Sequence, residues 1–312
     1  MRIQEGTLKF MILGIDIGGT NIKFGVTEDD YTLLKRYSIP TNSQRTIEEI
    51  IADIVAKANE IRNEFPFDRI GIGTPGDIDS EKGVCIRANN LPYNDTPIVD
   101  MISDGTGLPA AIANDATAAL YGEIYAGAGR EYPNLIMITL GTGVGGGIAI
   151  DGKPYLGTKG YGGELGHMVI KYDGLPCPCG LVGCYEQYAS VTALLRQAQE
   201  AIAQHPNSLL AQKAGEAFSA LDIFNAKEEG CLVAAAVIDQ YASYITIGLN
   251  SFENIFQPDA FVIGGAISSQ EENLLSLVRA KMDKPTNLFA SALKNDAGVI
   301  GAAVIAVAFG KQ

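Results

Sequence analysis

Apolar positions along the chain recur with two periods, and their alternation predicts a succession of strands and helices. The run MILGID at 11–16 reads as a buried strand that Gly18 and Gly19 interrupt. Segments 22–27 and 33–39 read as further strands, joined by the acidic turn at Asp29 and Asp30. Ile47, Ile50, Ile51, Ile54, Val55 and Ala58 fall at helical spacing, predicting a helix over 46–62 with Ser43 as its cap. Strands follow at 69–73, ending in Thr74-Pro75-Gly76, and at 108–113, running into Asn114-Asp115. The alanine-rich stretch 116–126 reads as a helix.

A second set of elements then begins. Strand 135–140 leads into LGTGVGGG at 140–147 and a further strand to Ile150. The glycine turns after Asp16 and after Leu140 stand about 125 positions apart, each between two strands. This weak internal repeat implies two α/β halves, each offering a glycine turn to one cleft. A glycine- and cysteine-rich loop occupies 157–184. Helices are expected at 189–204 and 232–256, a strand at 260–263 ending in Gly264-Gly265, and closing helices at 269–282 and 298–308. The alternation places the chain in the α/β class. The expected division is a small N-terminal domain, 1–126, completed by 298–312, and a larger domain, 127–297, carrying a metal loop at 164–186.

Composition narrows the function. Hydrophobic residues make up 47% and charged residues 19%, enough to bury a core. Asp plus Glu outnumber Lys plus Arg by 36 to 23, a net charge of −13, which disfavours a nucleic-acid partner. The segment 1–10 lacks the apolar core of a signal peptide, and the longest apolar stretch, 299–309, is about half the roughly 20 residues of a membrane span. A soluble, cytoplasmic protein without a membrane partner is expected. Of five cysteines, three fall within eight positions, and an odd count in such a cluster points to metal more than to disulfides.

Several strings carry candidate chemistry. Asp16-Ile17-Gly18-Gly19-Thr20-Asn21 could bring backbone amides to a phosphate, with Asp16 holding Mg²⁺ through water, or could be a tight hairpin. It is not a Walker P-loop. The glycines of 140–147 are hard to justify as packing and favour a ligand loop. Gly264-Gly265 suits an ordinary strand-to-helix turn equally well. Asp115, at a strand end, could take a proton from a substrate hydroxyl or could cap the next helix. His167, Cys177, Cys179 and Cys184 suit a closed tetrahedral Zn²⁺ site; buried free thiols or a redox pair are the alternatives. Glu164 and Glu186 flank that loop, either as rigid carboxylates for a hydroxyl-rich ligand or as surface charge. His205, before Pro206, reads as solvated surface.

Taken together, DIGGTNIK at 16–23, GTPG at 73–76, AND at 113–115, LGTGVGGG at 140–147, GGELGH at 162–167, CPCGLVGCYE at 177–186, VIGGAIS at 262–268 and NDAGVIGAA at 295–303 resemble the ROK family of bacterial sugar kinases and related repressors. The resemblance runs from Met11 to Ala308. It implies a two-domain, actin-like, hexokinase-type ATPase fold, a duplicated ribonuclease H-like motif around a cleft. It implies transfer of the ATP γ-phosphate to a hexose, glucose favoured, with an N-acetylhexosamine or fructose as alternative acceptor. By resemblance Asp115 is the catalytic base, and Gly76, Asn90, Asn114, Glu164, His167 and Glu186 line the sugar. Asp16, Gly18, Gly19, Thr20, Lys23, Thr142 and Gly143 match the phosphate side, and Gly264 and Gly265 the adenosine side. His167 would serve both zinc and sugar. The resemblance also implies Mg²⁺, structural Zn²⁺ and a homodimer or tetramer. Repressors of the family carry an added N-terminal helix-turn-helix, for which a first strand at about Met11 leaves no room. Family glucokinases often carry an aromatic residue, commonly Trp, in the sugar loop. This chain has no Trp and reads NNLPYN at 89–94, with Tyr93 in that place, which leaves the particular sugar open.

Overall fold

The computed structural model describes residues 10–88, 91–158, 162–215, 217–265 and 271–310. From the N-terminus the elements are β1 (Met11–Ile17), β2 (Asn21–Thr27), β3 (Leu33–Pro40), α1 (Ile47–Glu64), β4 (Phe67–Thr74), β5 (Asp77–Asp79), β6 (Val84–Arg87), β7 (Asn94–Thr96), α2 (Ile98–Thr106), β8 (Ala110–Asn114) and α3 (Asp115–Ala126). They continue with β9 (Leu135–Leu140), β10 (Val144–Ile150), β11 (Lys153–Pro154), α4 (Glu186–Ala189), α5 (Val191–Gln204), α6 (Leu209–Lys213), α7 (Ala220–Glu228), α8 (Leu232–Phe256), β12 (Ala260–Gly265), α9 (Glu271–Lys281), β13 (Asn287–Ala290) and α10 (Ala297–Ala308). Contacts group the chain into two compact units. One comprises residues up to Glu131, Pro154–Gly162 and residues from Asn295; the other comprises Tyr132–Lys153 and Gly163–Lys294.

In the first unit the sheet order is β3-β2-β1-β4-β8. β1, β2 and β3 form an antiparallel meander, while β4 and β8 run parallel to β1. Strand alternation sorts β1 between two faces. Leu13, Ile15 and Ile17 are buried in one cluster with Ile50 and Ile54 of α1, whereas Ile12 packs with Ala303 and Ala306 of α10. Gly14 and Gly71 lie under α10: a Cβ at either would overlap the backbone carbonyl of Val299 or Ala302. The helix therefore rests on the sheet backbone with no side chain between, the close approach that glycine permits. Helix α1 starts at a capping box in which Thr46 and Glu49 satisfy each other's backbone amides, so the cap is Thr46 and not Ser43. The short strands β5, β6 and β7 form a separate three-stranded sheet that the sequence pattern does not predict.

The second unit repeats the topology, with order β11-β10-β9-β12-β13. β10 runs antiparallel to β9 and neighbours β11, and β12 runs parallel to both β9 and β13. Its core gathers apolar residues of α5, α7, α8 and α9 over the sheet. Helix α8 is long and apolar enough to cross a membrane by length and composition, but half of that window is buried within the protein. Tyr241, Ile245, Leu249 and Phe252 make it the central core helix. Ser190, whose hydroxyl accepts from the Ala193 amide, caps α5, which covers the expected helix 189–204 but for its first two residues.

Candidate active site

In the first unit three parallel strands, β1, β4 and β8, end side by side. The register pairs Asp16 with Gly73, and Thr74 with Asn114. Carboxyl ends of parallel strands are where α/β proteins gather their ligands. Asp16 lies within 3.7 Å of the Lys23 ammonium, across the β1–β2 hairpin. Burial holds the Asp16 carboxyl above its ordinary value, opposed by Lys23. No side chain separates Asp16 from the first turn of α10, since a Cβ at Gly298 would sit 2.7 Å from a carboxylate oxygen. The turn between them is braced by buried Thr41, whose hydroxyl donates to the Gly18 carbonyl at 2.6 Å and whose amide donates to the Thr20 carbonyl at 2.9 Å. Thr20 itself is exposed.

Asn114 is the cap of α3. Its side-chain oxygen accepts from the amides of Ala116 at 2.9 Å and Thr117 at 3.4 Å, and its amide group donates to the Gly76 carbonyl at 3.2 Å. The reading of Asp115 as cap is thereby corrected: Asp115 is the first helical residue, with one oxygen 2.9 Å from the Ala116 amide. Gly76 adopts φ 122, and a Cβ there would strike the Arg87 carbonyl. Tyr93 is buried in the core with its hydroxyl 3.1 Å from that of Thr74. Asn90 lies outside the described residues.

In the second unit the glycine turn after β9 and the end of β12 adjoin, because Gly265 pairs with Leu140. Gly265 adopts φ 97, with no room for a side chain beside the Leu140 backbone, and Gly264 faces Met137 and Ser291. The start of α5 braces the turn: the Val191 amide donates to the Gly141 carbonyl and the Thr192 hydroxyl to the Thr142 carbonyl, both at 2.8 Å. Two of the glycines prove to be packing requirements. A Cβ at Gly143 would overlap the Glu186 carboxylate, and one at Gly146 would meet Leu165 at 2.6 Å.

Glu186 binds that turn directly, accepting from the Val144 amide at 3.0 Å. Its other oxygen lies 3.9 Å from the Cys177 sulfur. The donor atoms of His167, Cys177, Cys179 and Cys184 lie within 4.8 Å of one another. His167 Nδ1 is 3.7 Å from Cys177 Sγ, and the Cys179 and Cys184 sulfurs are 3.5 Å apart. A tetrahedron with Zn–S bonds of about 2.3 Å has edges of about 3.8 Å, so the donor set fits that ion. The opposite nitrogen, Nε2, lies 4.0 Å from Glu164. Burial pushes the Cys177 and Cys184 thiols up, the latter to about 12. At Cys179 the same penalty is outweighed by the Leu181 amide and the neighbouring thiols, which lower it. Three sulfurs this close repel one another once ionised, which a bound cation would reverse. The loop is anchored below by Tyr185, whose hydroxyl donates to the Ile245 carbonyl at 2.9 Å, and by Tyr188, which accepts from the Leu175 amide.

Residues 12–308 match the model of the ROK family. The chain belongs to the ROK family. A glucokinase of Halalkalibacterium halodurans is 36% identical over 93% of this chain and 92% of its own. A ROK glucokinase from Streptomyces griseus, solved in complex with glucose and AMPPNP, superposes with a TM-score of 0.84 at 33% identity, covering 96% of this chain and 99% of that one. A xylose repressor of Bacillus subtilis is 28% identical over 95% of this chain and 76% of its own. The expected actin-like α/β fold is the fold of this ROK protein.

Within the ROK chain, each unit brings its own motifs together at strand ends: Asp16, Lys23, Gly76, Asn114 and Asp115 in one, Thr142, Gly143, Gly264, Gly265 and the cysteine loop in the other. Thr41 and Gly298 were not singled out in the sequence. Thr41 is separated from the turn it braces by two strands, and Gly298 acts through an absent side chain. Neither leaves a local signal. His205 is exposed, as expected.

Proposed function

We propose that this ROK protein is an ATP-dependent glucokinase that phosphorylates glucose to glucose 6-phosphate, with Asp115 as general base. The observation that carries this reading is the division of labour at the end of β8, where Asn114 caps α3 and Asp115 holds a carboxylate at the carboxyl end of the sheet. The glucokinases among its relatives support the same reaction.

In this scheme Asp115 accepts the proton of the attacking hydroxyl as the oxygen meets the γ-phosphorus. Asn90, Asn114, Glu164, His167 and Glu186, with Gly76, hold the sugar hydroxyls, and rigid placement supplies much of the rate. Gly18, Gly19, Thr20 and Lys23 receive the phosphates, Thr142 and Gly143 assist them, and Gly264 and Gly265 leave space for the adenosine. Mg²⁺, when bound near Asp16, supplies charge neutralisation on the phosphate oxygens. Zn²⁺ is proposed on Nδ1 of His167 and the three sulfurs, where it would lock the imidazole tautomer and leave Nε2–H as a donor toward the sugar. We place the protein in the cytoplasm as a homodimer or tetramer.

The test is ADP release with ATP and Mg²⁺ across glucose, mannose, fructose, N-acetylglucosamine, N-acetylmannosamine and no sugar. Glucose is expected to give the highest kcat/KM. An N-acetylhexosamine or fructose in first place would replace the substrate and keep the reaction. No release above the blank, with sugars still raising Tm, would replace the kinase by a sugar sensor.

A further inference from the structure

The turn that joins β1 to β2 has three of its carbonyls engaged within the protein. The Gly18 amide donates to the Asn21 carbonyl at 3.0 Å. The other two are taken by Thr41, which follows Pro40 at the end of β3 and is fully buried. Its hydroxyl donates to the Gly18 carbonyl at 2.6 Å, across 23 positions of sequence, and its amide donates to the Thr20 carbonyl at 2.9 Å. Thr41 is itself held: its carbonyl accepts from Arg45 Nη2 at 3.2 Å, and that guanidinium pairs with Asp53 of α1 at 2.8 Å. A planar trans peptide points its carbonyl and its N–H in opposite directions. With the Gly18 carbonyl drawn onto Thr41, the Gly19 amide of the same peptide unit faces away from the buried threonine. Glycine flanks that peptide on both sides, and glycine backbone rotates more freely than any other. Local preference therefore does not choose which way the unit points, and the Thr41 hydroxyl does.

We propose that Thr41 is a positioning residue for phosphate binding: its hydroxyl locks the Gly18–Gly19 peptide with the amide turned outward, as a donor to the nucleotide's phosphates. The inference rests on the kinase reading and deepens it, by naming what holds the phosphate turn in its binding orientation. Outward N–H groups attract an anion, whereas an outward carbonyl repels one. Without the hydroxyl the peptide samples both orientations. Affinity for the phosphates then falls by the fraction of molecules that present the amide. The Thr20 carbonyl is held by the backbone amide of residue 41, which any substitution but proline retains, so the turn keeps its place on the sheet while one peptide unit loosens.

Thr41→Val, Thr41→Ala and Thr41→Ser separate this from simple stabilisation. The first removes the hydroxyl at nearly constant volume, the second removes it with a smaller side chain, and the third keeps it. In the valine and alanine variants the Kd for Mg–AMPPNP, measured without sugar, is expected to rise about three- to tenfold, the worth of one hydrogen bond. The KM for MgATP should rise in parallel, and the KM for glucose should stay within twofold of wild type. Thr41→Ser should bind Mg–AMPPNP within twofold of wild type. The inference is overturned if valine and alanine lower Tm while the Mg–AMPPNP constant stays within twofold, because the bond is then structural only. It is overturned equally if the glucose and nucleotide constants worsen together, or if serine binds Mg–AMPPNP no better than valine. A wild-type protein that transfers no phosphate to any sugar sinks the kinase reading instead, and the Mg–AMPPNP constants still decide the role of Thr41. A wild-type protein that binds no Mg–AMPPNP overturns both.

Discussion

Glu186 accepts a hydrogen bond from the Val144 amide at 3.0 Å, so one carboxylate ties the cysteine loop to the glycine turn. Gly143 is glycine because that carboxylate occupies the space a side chain would need. Glu186→Gln keeps an acceptor for the amide, whereas Glu186→Ala leaves a largely buried N–H unpaired, at about 1–3 kcal/mol. We expect both variants to lose at least tenfold in kcat/KM for sugar. Only the alanine variant should show a clear drop in Tm. Steady-state kinetics paired with thermal melting checks this, and equal melting losses in both would show the bond to be unimportant.

Asn114 and Asp115 are neighbours with separable tasks. Asn114→Ala removes the α3 cap and should cost about 1 kcal/mol, lowering Tm by a few degrees. Asp115→Asn should leave Tm nearly unchanged and lower kcat by roughly a thousandfold or more. Single-turnover measurements would place that loss in the chemical step.

The pH dependence at Asp16 has a definite sign. Burial holds its carboxyl above the ordinary 3.8, so the folded state binds this proton more tightly than the unfolded chain does. Its contribution to stability is therefore greatest below pH 3.8 and is lost as pH rises through the raised value. Asp16→Asn should melt higher than wild type at pH 7, lose the decline in Tm that begins above pH 4, and turn over little ATP. A variant that melts lower at pH 7 would show that the Lys23 pair outweighs the burial.

Metal removal gives an independent test. Purified without chelator, the protein should carry about one zinc per chain, and Cys184→Ser less than half. Because Glu164, Glu186 and His167 sit on that loop, stripping the metal should raise the sugar KM well before it alters the KM for ATP. Elemental analysis with parallel kinetics checks both.

Much of the fold was legible where burial and period coincide. Helix α8 has the bounds 232–256 expected from its apolar spacing, because a core helix carries its signal in every turn. Boundaries set by a single side chain were less legible: Ser43 and Thr46 are both good caps, and only Thr46 has Glu49 three places on to complete the box. β5, β6 and β7 were missed because three or four residues are too few to show a period. The cysteine loop was legible as a cluster because its four donors fall within eighteen positions, His167 to Cys184. What sequence spacing could not reveal was the pairing of distant residues, Thr41 with Gly18 or Arg36 with Asp296, since neither has a local pattern.

The seating of α10 on the bare backbone of Gly14 and Gly71 also sets a timetable for synthesis. Strands β1 and β4 leave the ribosome early, yet the helix that covers one of their faces begins at Ala297. At roughly 5–20 residues per second, the first unit waits on the order of ten to thirty seconds after Glu131 for its last helix. During that interval the face around Gly14 and Gly71 is open to other chains, whereas the second unit, Tyr132–Lys153 and Gly163–Lys294, has all of its own residues before α10 is made.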